Sequence, residues 1–331
     1  MRPFQITSPD SVPAAAATEA TGADSPDAMF IAGGTTMVDL MKYHVFTPKR
    51  LVDVRRLRLD AVELRGDTLH IGSGATMTDV AYHADVTRDF PGIRDGLLLA
   101  ASQGLRNVAT MGGNIMQRTR CPYYRDPSFA CNRRNPGSGC AAMEGWTRYN
   151  AVLGVSDQCI AAHFSDVSNV LAALEATVVV EGPAGGRRIA FTDFHLRPGD
   201  TPEREHALRT GELITAIEVQ KGACAKTSNY VKIRDRNSYA FAIASAAAGL
   251  DVSGGRIREA KCAIGAVGTV PWKVPAVEKY LVGKRATPEV FAKAAERATR
   301  GAVTREHNAY KVPLAQRALV EALTKSAALA A

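Results

Sequence analysis

No run of about 18 apolar residues occurs in this chain, so a membrane-spanning helix and a membrane partner are not expected. Met1 to Asp10 holds no basic stretch followed by an apolar core, so no secretory signal is expected. The default compartment is then the cytoplasm, and the periplasm is reached only by export together with a partner. No internal repeat is visible. The common nucleotide and catalytic signatures are missing too: Gly72-Ser73-Gly74 comes nearest to G-x-G-x-x-G, but Met77 stands where the third glycine belongs. There is no Walker A lysine loop, no H-E-x-x-H and no G-x-S-x-G.

What is present is ordinary in bulk. The 331 residues are 46% hydrophobic and 22% charged, a soluble globular composition long enough for two or three domains. The formal charge of +8 is moderate, and the cations form no long stripe with aromatic platforms, so a nucleic-acid partner is not expected. One local concentration stands out: Arg118, Arg120, Arg125, Arg133 and Arg134, against the single acid Asp126. Such a loop is either plainly solvated or neutralises something anionic held inside it.

Strand and helix patterns alternate through the first half. Met29 to Ala32, Arg50 to Val54 and Leu69 to Gly72 read as strands, and Thr36 to Tyr43, Asp79 to Ala84 and Ile93 to Ser102 as helices. An Ala- and Thr-rich stretch at 11–23 reads as a short helix or a surface insertion. The pattern breaks between Arg118 and Tyr149, over 30 residues with almost no aliphatic side chain to bury, and loops of that length are usually functional or disordered. It resumes with a helix at Val167 to Ala176 and strands at Thr177 to Glu181, Ile189 to Phe191 and Leu213 to Val219. The charged stretch Thr201 to His206 reads as a loop. From about Ala225 a second region follows: a hairpin of Tyr239 to Val252 and Arg256 to Gly265, then helices at Val274 to Leu281, Glu289 to Thr299 and Leu314 to Ala328. Strands followed by helices suggest a separate α+β C-terminal domain.

Two segments have the chemistry of a dinucleotide site: Ala32-Gly33-Gly34-Thr35-Thr36 and Thr110-Met111-Gly112-Gly113-Asn114. Each places paired glycines after an apolar run, where backbone N–H groups approach a pyrophosphate closely. The competing reading is that each Gly-Gly simply makes a tight turn.

Cys121, Cys131, Cys140 and Cys159 fall within 39 residues, whereas Cys224 and Cys262 lie far away. Cys262 alternates with Ala260 and Ile264 on one strand face and reads as core. The clustered four have gaps of 9, 8 and 18, unlike the close pairs of zinc ribbons. Two disulfides are the weaker alternative without a secretory signal. A centre held by four thiolates replaces the core that this loop lacks, and a four-iron cluster with four thiolates carries a charge of about −2 that the arginines offset.

The stretches FIAGGTTMVDLM, TMGGNIMQ, Ser165-Asp166, LITAIEV and YVKIRDRNSYAFAIASAA together resemble the FAD-binding medium subunit of the xanthine dehydrogenase and molybdenum hydroxylase family, over nearly the whole chain. The resemblance implies an α+β architecture: a two-subdomain FAD-binding fold of the vanillyl-alcohol-oxidase type at 1–57 and 58–223, and a smaller α+β domain at 224–331. By the same resemblance Ile31, Ala32, Gly33, Gly34, Thr35 and Met37 hold FAD from the first loop, and Thr110, Gly113 and Asn114 from the second. Asp166 matches an acid near the ribose and adenine side, Ile214 an apolar contact and Lys232 a basic contact to the flavin. Read locally instead, Asp166 is a helix N-cap and Lys232 an edge-strand residue with its head in water. An aromatic that some members set against the isoalloxazine is absent, since Ala100 stands there.

The insertion at 118–160 resembles the branch that binds a [4Fe–4S] cluster, which implies Cys121, Cys131, Cys140 and Cys159 as ligands. That branch implies an electron-transfer subunit of a three-subunit aldehyde oxidoreductase. Its partners are a large molybdenum-cofactor subunit, a small [2Fe–2S] subunit and an external electron acceptor, and this chain carries no catalytic residue of its own. A 4-hydroxybenzoyl-CoA reductase subunit, an interaction subunit with a purely structural cluster and a free-standing flavin oxidase stay open beside it.

Overall fold

In the computed structural model, which describes residues 1–20 and 27–330, three β-sheets follow one another along the chain. The first is parallel: β1 (Gln5–Thr7), β2 (Ala28–Ile31) and β3 (Arg50–Asp53) lie in the order β1-β3-β2. The helix Met37–Lys42 connects β2 to β3 and buries Leu40 and Met41 beside Met29 and Leu51. The Ala- and Thr-rich stretch begins as the helix Val12–Ala16, capped by the Ser11 hydroxyl; its part beyond residue 20 lies outside the described residues.

The second sheet is antiparallel. Its strands β4 (Val62–Arg65), β5 (Thr68–Gly72), β6 (Thr177–Gly182), β7 (Gly185–Ala190) and β8 (Leu213–Gln220) are ordered β4-β5-β8-β6-β7. Ile71, Val178, Val180 and Ile217 share one core with Ile93 and Leu97 of the helix Pro91–Leu98 and with Val170 and Leu171 of the helix Asp166–Ala173. The strand expected at Ile189 to Phe191 lies earlier. Ala190 ends β7, and Phe191 opens a helical turn, Phe191–Phe194, that buries both phenylalanines.

The third sheet comprises β9 (Asn229–Ile233), β10 (Ala244–Ser253), β11 (Arg256–Gly265) and β12 (Trp272–Lys273), antiparallel in the order β12-β11-β10-β9. Alternation along β10 explains its alanines. Ala244, Ala246, Ala248 and Leu250 face the helices Pro275–Leu281, Pro288–Ala298 and Lys311–Leu329, whereas Ala247 packs into the core of the second sheet. A strand covered on both faces favours small side chains. Cys262 sits with Ala260 and Ile264 in the helix-side core, as its spacing implied. The hairpin starts at Ala244 rather than Tyr239; the polar run Arg234 to Ser238 precedes it, and Tyr239 takes a left-handed φ of 50°.

The cysteine-rich insertion does not lack a core: it borrows one. Cys121, Tyr124, Cys131, Ala142 and Cys159 pack with Met29, Leu40, Met41, Phe46 and Leu51 of the first subdomain. Its far end is strapped by the segment that opens the last helix. Arg305 donates to Met143 Sδ at 3.0 Å, Val303 N to Val152 O at 2.8 Å and Asn308 Nδ2 to Ala151 O at 3.2 Å. Lys311, with no exposed surface, donates from Nζ to the carbonyls of Tyr149, Asn150 and Ala266 at 3.3, 3.0 and 2.6 Å.

Burial lowers the Lys311 ammonium pKa to about 7, well under the usual lysine value. Lys311→Met leaves three buried carbonyls without their donor and is expected to cost about 1–3 kcal/mol in urea unfolding near pH 7. Because the unfolded lysine holds its proton to higher pH than the folded one, stability relative to this variant should rise with pH above about 7. A flat difference between pH 7 and pH 9 would contradict it.

Candidate functional site

Between the first two sheets, and under the loop that precedes β10, lies a cavity of about 1030 Å³. The first glycine loop contributes Ile31, Ala32, Gly33, Gly34, Thr35 and Met37 to its wall. Thr110, Gly113 and Asn114 face it from the second loop, with Asp166 and Ile214 beside them. Lys232 does not line it. Its side chain is 1% exposed, and Nζ donates to Asp166 Oδ2 at 2.8 Å and to Leu99 O at 2.9 Å. Although β9 is an edge strand, the lysine head is therefore paired inside the protein rather than held in water.

The two loops do different work. An ideal Cβ on Gly33 would sit 2.1 Å from Val108 O, so glycine there lets the first loop lie directly on the chain leading into the second. Gly34 has φ of +72°, where glycine is unstrained. Among the described residues no acceptor pairs with the backbone N–H groups of Gly33, Gly34, Thr35, Thr36 or Met37, a row of donors along one wall of the cavity. Successive N–H groups of this kind, left free along a cavity wall, form an anion cradle.

In the second loop the donors of residues 111–114 are spent. Met111 N and Gly112 N donate to Ala75 O and Ser73 O at 2.9 and 2.8 Å, and Gly113 N to Thr110 Oγ1 at 3.3 Å. Its part is shape. A Cβ on Gly113 would meet only Thr110 Oγ1, at 3.1 Å, so the missing side chain leaves room in the cavity and not in the packing.

Asp166 is not the cap of its helix. Ser165 is, accepting from Ser168 N at 3.2 Å and donating to Asn114 Oδ1. Asp166 occupies the first helical position, buried, where desolvation raises its carboxyl pKa against the opposing pull of Lys232; Tyr230 Oη donates to its other oxygen. Ala100 lines the cavity as the sequence placed it, and so do Tyr239 and Phe241 from the loop before β10. Arg120 lies 5.0 Å over the Phe241 ring. These aromatics were missed in the sequence reading; the signal available was the polar run Arg234 to Ser238, which interrupts the strand pattern.

Cys121, Cys131, Cys140 and Cys159 come together in one nest. Cys131 and Cys140 face each other across an isolated antiparallel bridge, and the Cys159 sulfur lies close enough to the other three to repel their negative charge. Cys224 and Cys262 lie elsewhere, and all six cysteines are unbridged. Burial pushes the Cys121 thiol up to about 11 and raises Cys131 and Cys140 as well. At Cys121 a donor pulls the other way, Asn150 Nδ2 at 3.6 Å from Sγ; Ala161 N lies 3.4 Å from Cys159 Sγ. Among the described residues no group of three His, Cys, Asp or Glu is set to hold a single metal ion.

The arginines are distributed otherwise than the sequence suggested. Among the described residues none of them forms a salt bridge with Asp126. Arg120 and Arg125 lean on Asp39 at 3.7 and 2.8 Å, Arg118 and Arg133 share Glu205, and Arg134 donates to the carbonyls of Tyr123, Tyr124 and Phe129. Arg133 stands beside the Cys159 sulfur and the Arg134 charge acts at Cys131, whereas Arg118, Arg120 and Arg125 line the cavity. Next to Glu205, His163, His195 and His206 pack ring on ring at 4.6 and 5.4 Å, and burial keeps them neutral, His195 down to about 4.

Residues 2–220 match the family described as the FAD binding domain in molybdopterin dehydrogenase, and residues 229–326 the CO dehydrogenase flavoprotein C-terminal domain. The chain belongs to the FAD-binding medium subunits of the molybdenum hydroxylase family, and it is an oxidoreductase subunit. Among individual relatives, it is 43% identical over 310 residues to the aldehyde oxidoreductase FAD-binding subunit PaoB of Escherichia coli (strain K12), covering 92% of this chain and 93% of that one. It is 29% identical over 262 residues, 78% of this chain and 73% of the other, to the carbon monoxide dehydrogenase medium chain of Afipia carboxidovorans. Carbon monoxide dehydrogenase from Hydrogenophaga pseudoflava shares the fold, with a TM-score of 0.77 at 24% identity over 100% of this chain and 99% of that one.

The cavity and its row of N–H groups without an acceptor among the described residues fit FAD, whose pyrophosphate would supply acceptors for them. The two glycines should then separate by experiment. Gly33→Ala should unfold at markedly lower urea, because the Val108 carbonyl stands in the way. Gly113→Val should fold with near-normal stability and lose most of its flavin on gel filtration. Full flavin retention by folded Gly113→Val would show that the second loop does not face the cofactor.

Proposed function

We propose that this chain is the FAD- and [4Fe–4S]-containing electron-transfer subunit of a molybdenum-dependent aldehyde oxidoreductase. The observation that carries the reading is the nest itself: four cysteines from one insertion converge beside the cavity whose wall that insertion also builds. The relative at 43% identity is a subunit of an aldehyde oxidoreductase, which favours this reading over a 4-hydroxybenzoyl-CoA reductase subunit.

The nest suits a cluster better than a single ion. A four-iron cube sets its thiolates further apart than one zinc ion does, in keeping with the lack of a single-ion site among the described residues. Cys121, Cys131, Cys140 and Cys159 would be the four ligands. Burial raises the thiol pKa values of Cys121, Cys131 and Cys140, so protein donors alone do not sustain these three as thiolates and their deprotonation needs the metal. Donors still reach the sulfurs: Asn150 and the Tyr123 and Tyr124 backbone at Cys121, Ala161 at Cys159, and backbone N–H groups of Ala142 and Ile160 at Cys140. Hydrogen bonds to cluster sulfurs set the reduction potential.

On the flavin side, Gly33, Gly34 and Thr35 bind the pyrophosphate through backbone N–H groups, and Ile31, Met37 and Ile214 supply apolar wall. Asp166 serves the ribose and adenine side, with Lys232 fixing its carboxylate from behind. Tyr239 and Phe241 take the place of the missing aromatic at Ala100. When bound, FAD supplies the exchange between single electrons and pairs.

Aldehyde oxidation belongs to a large partner with the molybdenum cofactor, and a small partner with [2Fe–2S] clusters relays electrons to the FAD of this chain and through it to an external acceptor. The three sheets support the division into 1–57, 58–223 and 224–331. No helix among the described residues is long and apolar enough to cross a membrane, and the compartment is that of the partners: cytoplasmic, unless they are exported.

Two measurements test this. Protein purified without oxygen should contain about four irons and four acid-labile sulfides. Cys→Ser at positions 121, 131, 140 or 159 should remove most of both, and at 224 or 262 almost none. Zinc in place of iron, or full iron in Cys140→Ser, would overturn the cluster assignment. Separately, the isolated chain reconstituted with FAD should pass electrons to dyes yet turn over no aldehyde; steady turnover would overturn its assignment as a partner subunit.

A further inference from the structure

The charged loop at 201–206 belongs by sequence to neither the glycine loops nor the cysteine insertion, yet its Glu205 carboxylate reaches toward both. Oε1 accepts from Arg118 Nη1, and Oε2 accepts from Arg133 Nη1 at 2.7 Å. The three side chains are only 2%, 5% and 9% exposed for Arg118, Arg133 and Glu205. Arg118 lines the flavin cavity, 5.3 Å over the Phe46 ring. Arg133 stands beside the Cys159 sulfur. The neutral histidines 163, 195 and 206 pack alongside and add no competing charge.

We propose that Glu205 is a positioning residue that couples the two redox sites: it pins one cation at the flavin cavity and another at the cysteine nest, and its own charge is felt at both. This rests on the reading of the four cysteines as cluster ligands. Reduction adds an electron to either site, so a neighbouring cation favours it and a neighbouring anion opposes it. Away from water such charges act with little screening. The bridge therefore has a distinct electrical signature at each position. Loss of the Arg133 charge lowers the cluster potential with little effect on the flavin, and loss of the Arg118 charge does the reverse. Loss of the Glu205 charge raises both.

The test uses the assembled enzyme prepared without oxygen, with iron, sulfide and FAD contents measured first. The cluster is titrated by electron paramagnetic resonance and the flavin by visible absorbance, in wild type and in Glu205→Gln, Arg118→Gln, Arg133→Gln and Arg133→Lys. Glu205→Gln is expected to shift both potentials positive at unchanged cofactor content. Arg133→Gln should shift the cluster negative, and Arg133→Lys should return it towards wild type. A purely structural role would alter cofactor content and leave the potentials of loaded protein alone. Unmoved potentials in fully loaded Glu205→Gln overturn the coupling. If that variant does not assemble, equal cluster potentials in Arg133→Gln and Arg133→Lys overturn it instead, and a difference of the stated sign supports it. Wild-type protein without iron or sulfide sinks the cluster reading and the coupling with it; loaded protein with unmoved potentials sinks the coupling alone.

Discussion

The backbone of the first glycine loop lies on the Val108 carbonyl, at a distance that no side chain at position 33 allows. Much else depends on that approach. It sets the loop after β2 on the chain that leads into the second glycine loop, and both loops line the cavity. It also turns the unpaired N–H groups of residues 33–37 along the cavity wall, while the second loop spends its own donors on Ser73, Ala75 and Thr110. One loop supplies hydrogen bonds and the other supplies clearance.

Charge is handled here by pairing inside the protein. Asp166 with Lys232, and Glu205 with Arg118 and Arg133, are groups whose solitary burial would be costly. Each arrangement ties segments far apart in sequence: β9 to the helix at Asp166, and the cysteine insertion to the loop at 201–206. Buried pairs of this sort add little net stability but strongly penalise misplacement of either partner. They hold the cavity wall and the nest in register with each other.

Local signals were legible. Helix positions over the third sheet follow apolar periodicity closely, whereas β10, buried on both faces, has no apolar–polar alternation to mark where it begins. The glycine loops and the cysteine group were found from residue type and spacing, and the structure gathers both. What one sequence did not disclose was pairing at a distance. The acids that meet the insertion's arginines, Asp39 and Glu205, lie about 80 residues before it and about 45 residues after it. Asp166 looked like a cap because Ser165 and Asp166 are both good cap residues, and only the fold decides which one turns inward. Lys232 sits on an edge strand as such residues do, but its amino group finds a carboxylate before it finds water.

The strap at residues 303–311 sets an order of events during synthesis. Cys159 leaves the ribosome about 150 residues ahead of Lys311, on the order of ten seconds earlier at typical elongation rates. Through that interval the cysteines and the residues of their borrowed core exist, but not the partners that fasten residues 143–152. The far side of the cysteine pocket is therefore fastened only once the last segment of the chain has been made, whatever the order in which the rest folds.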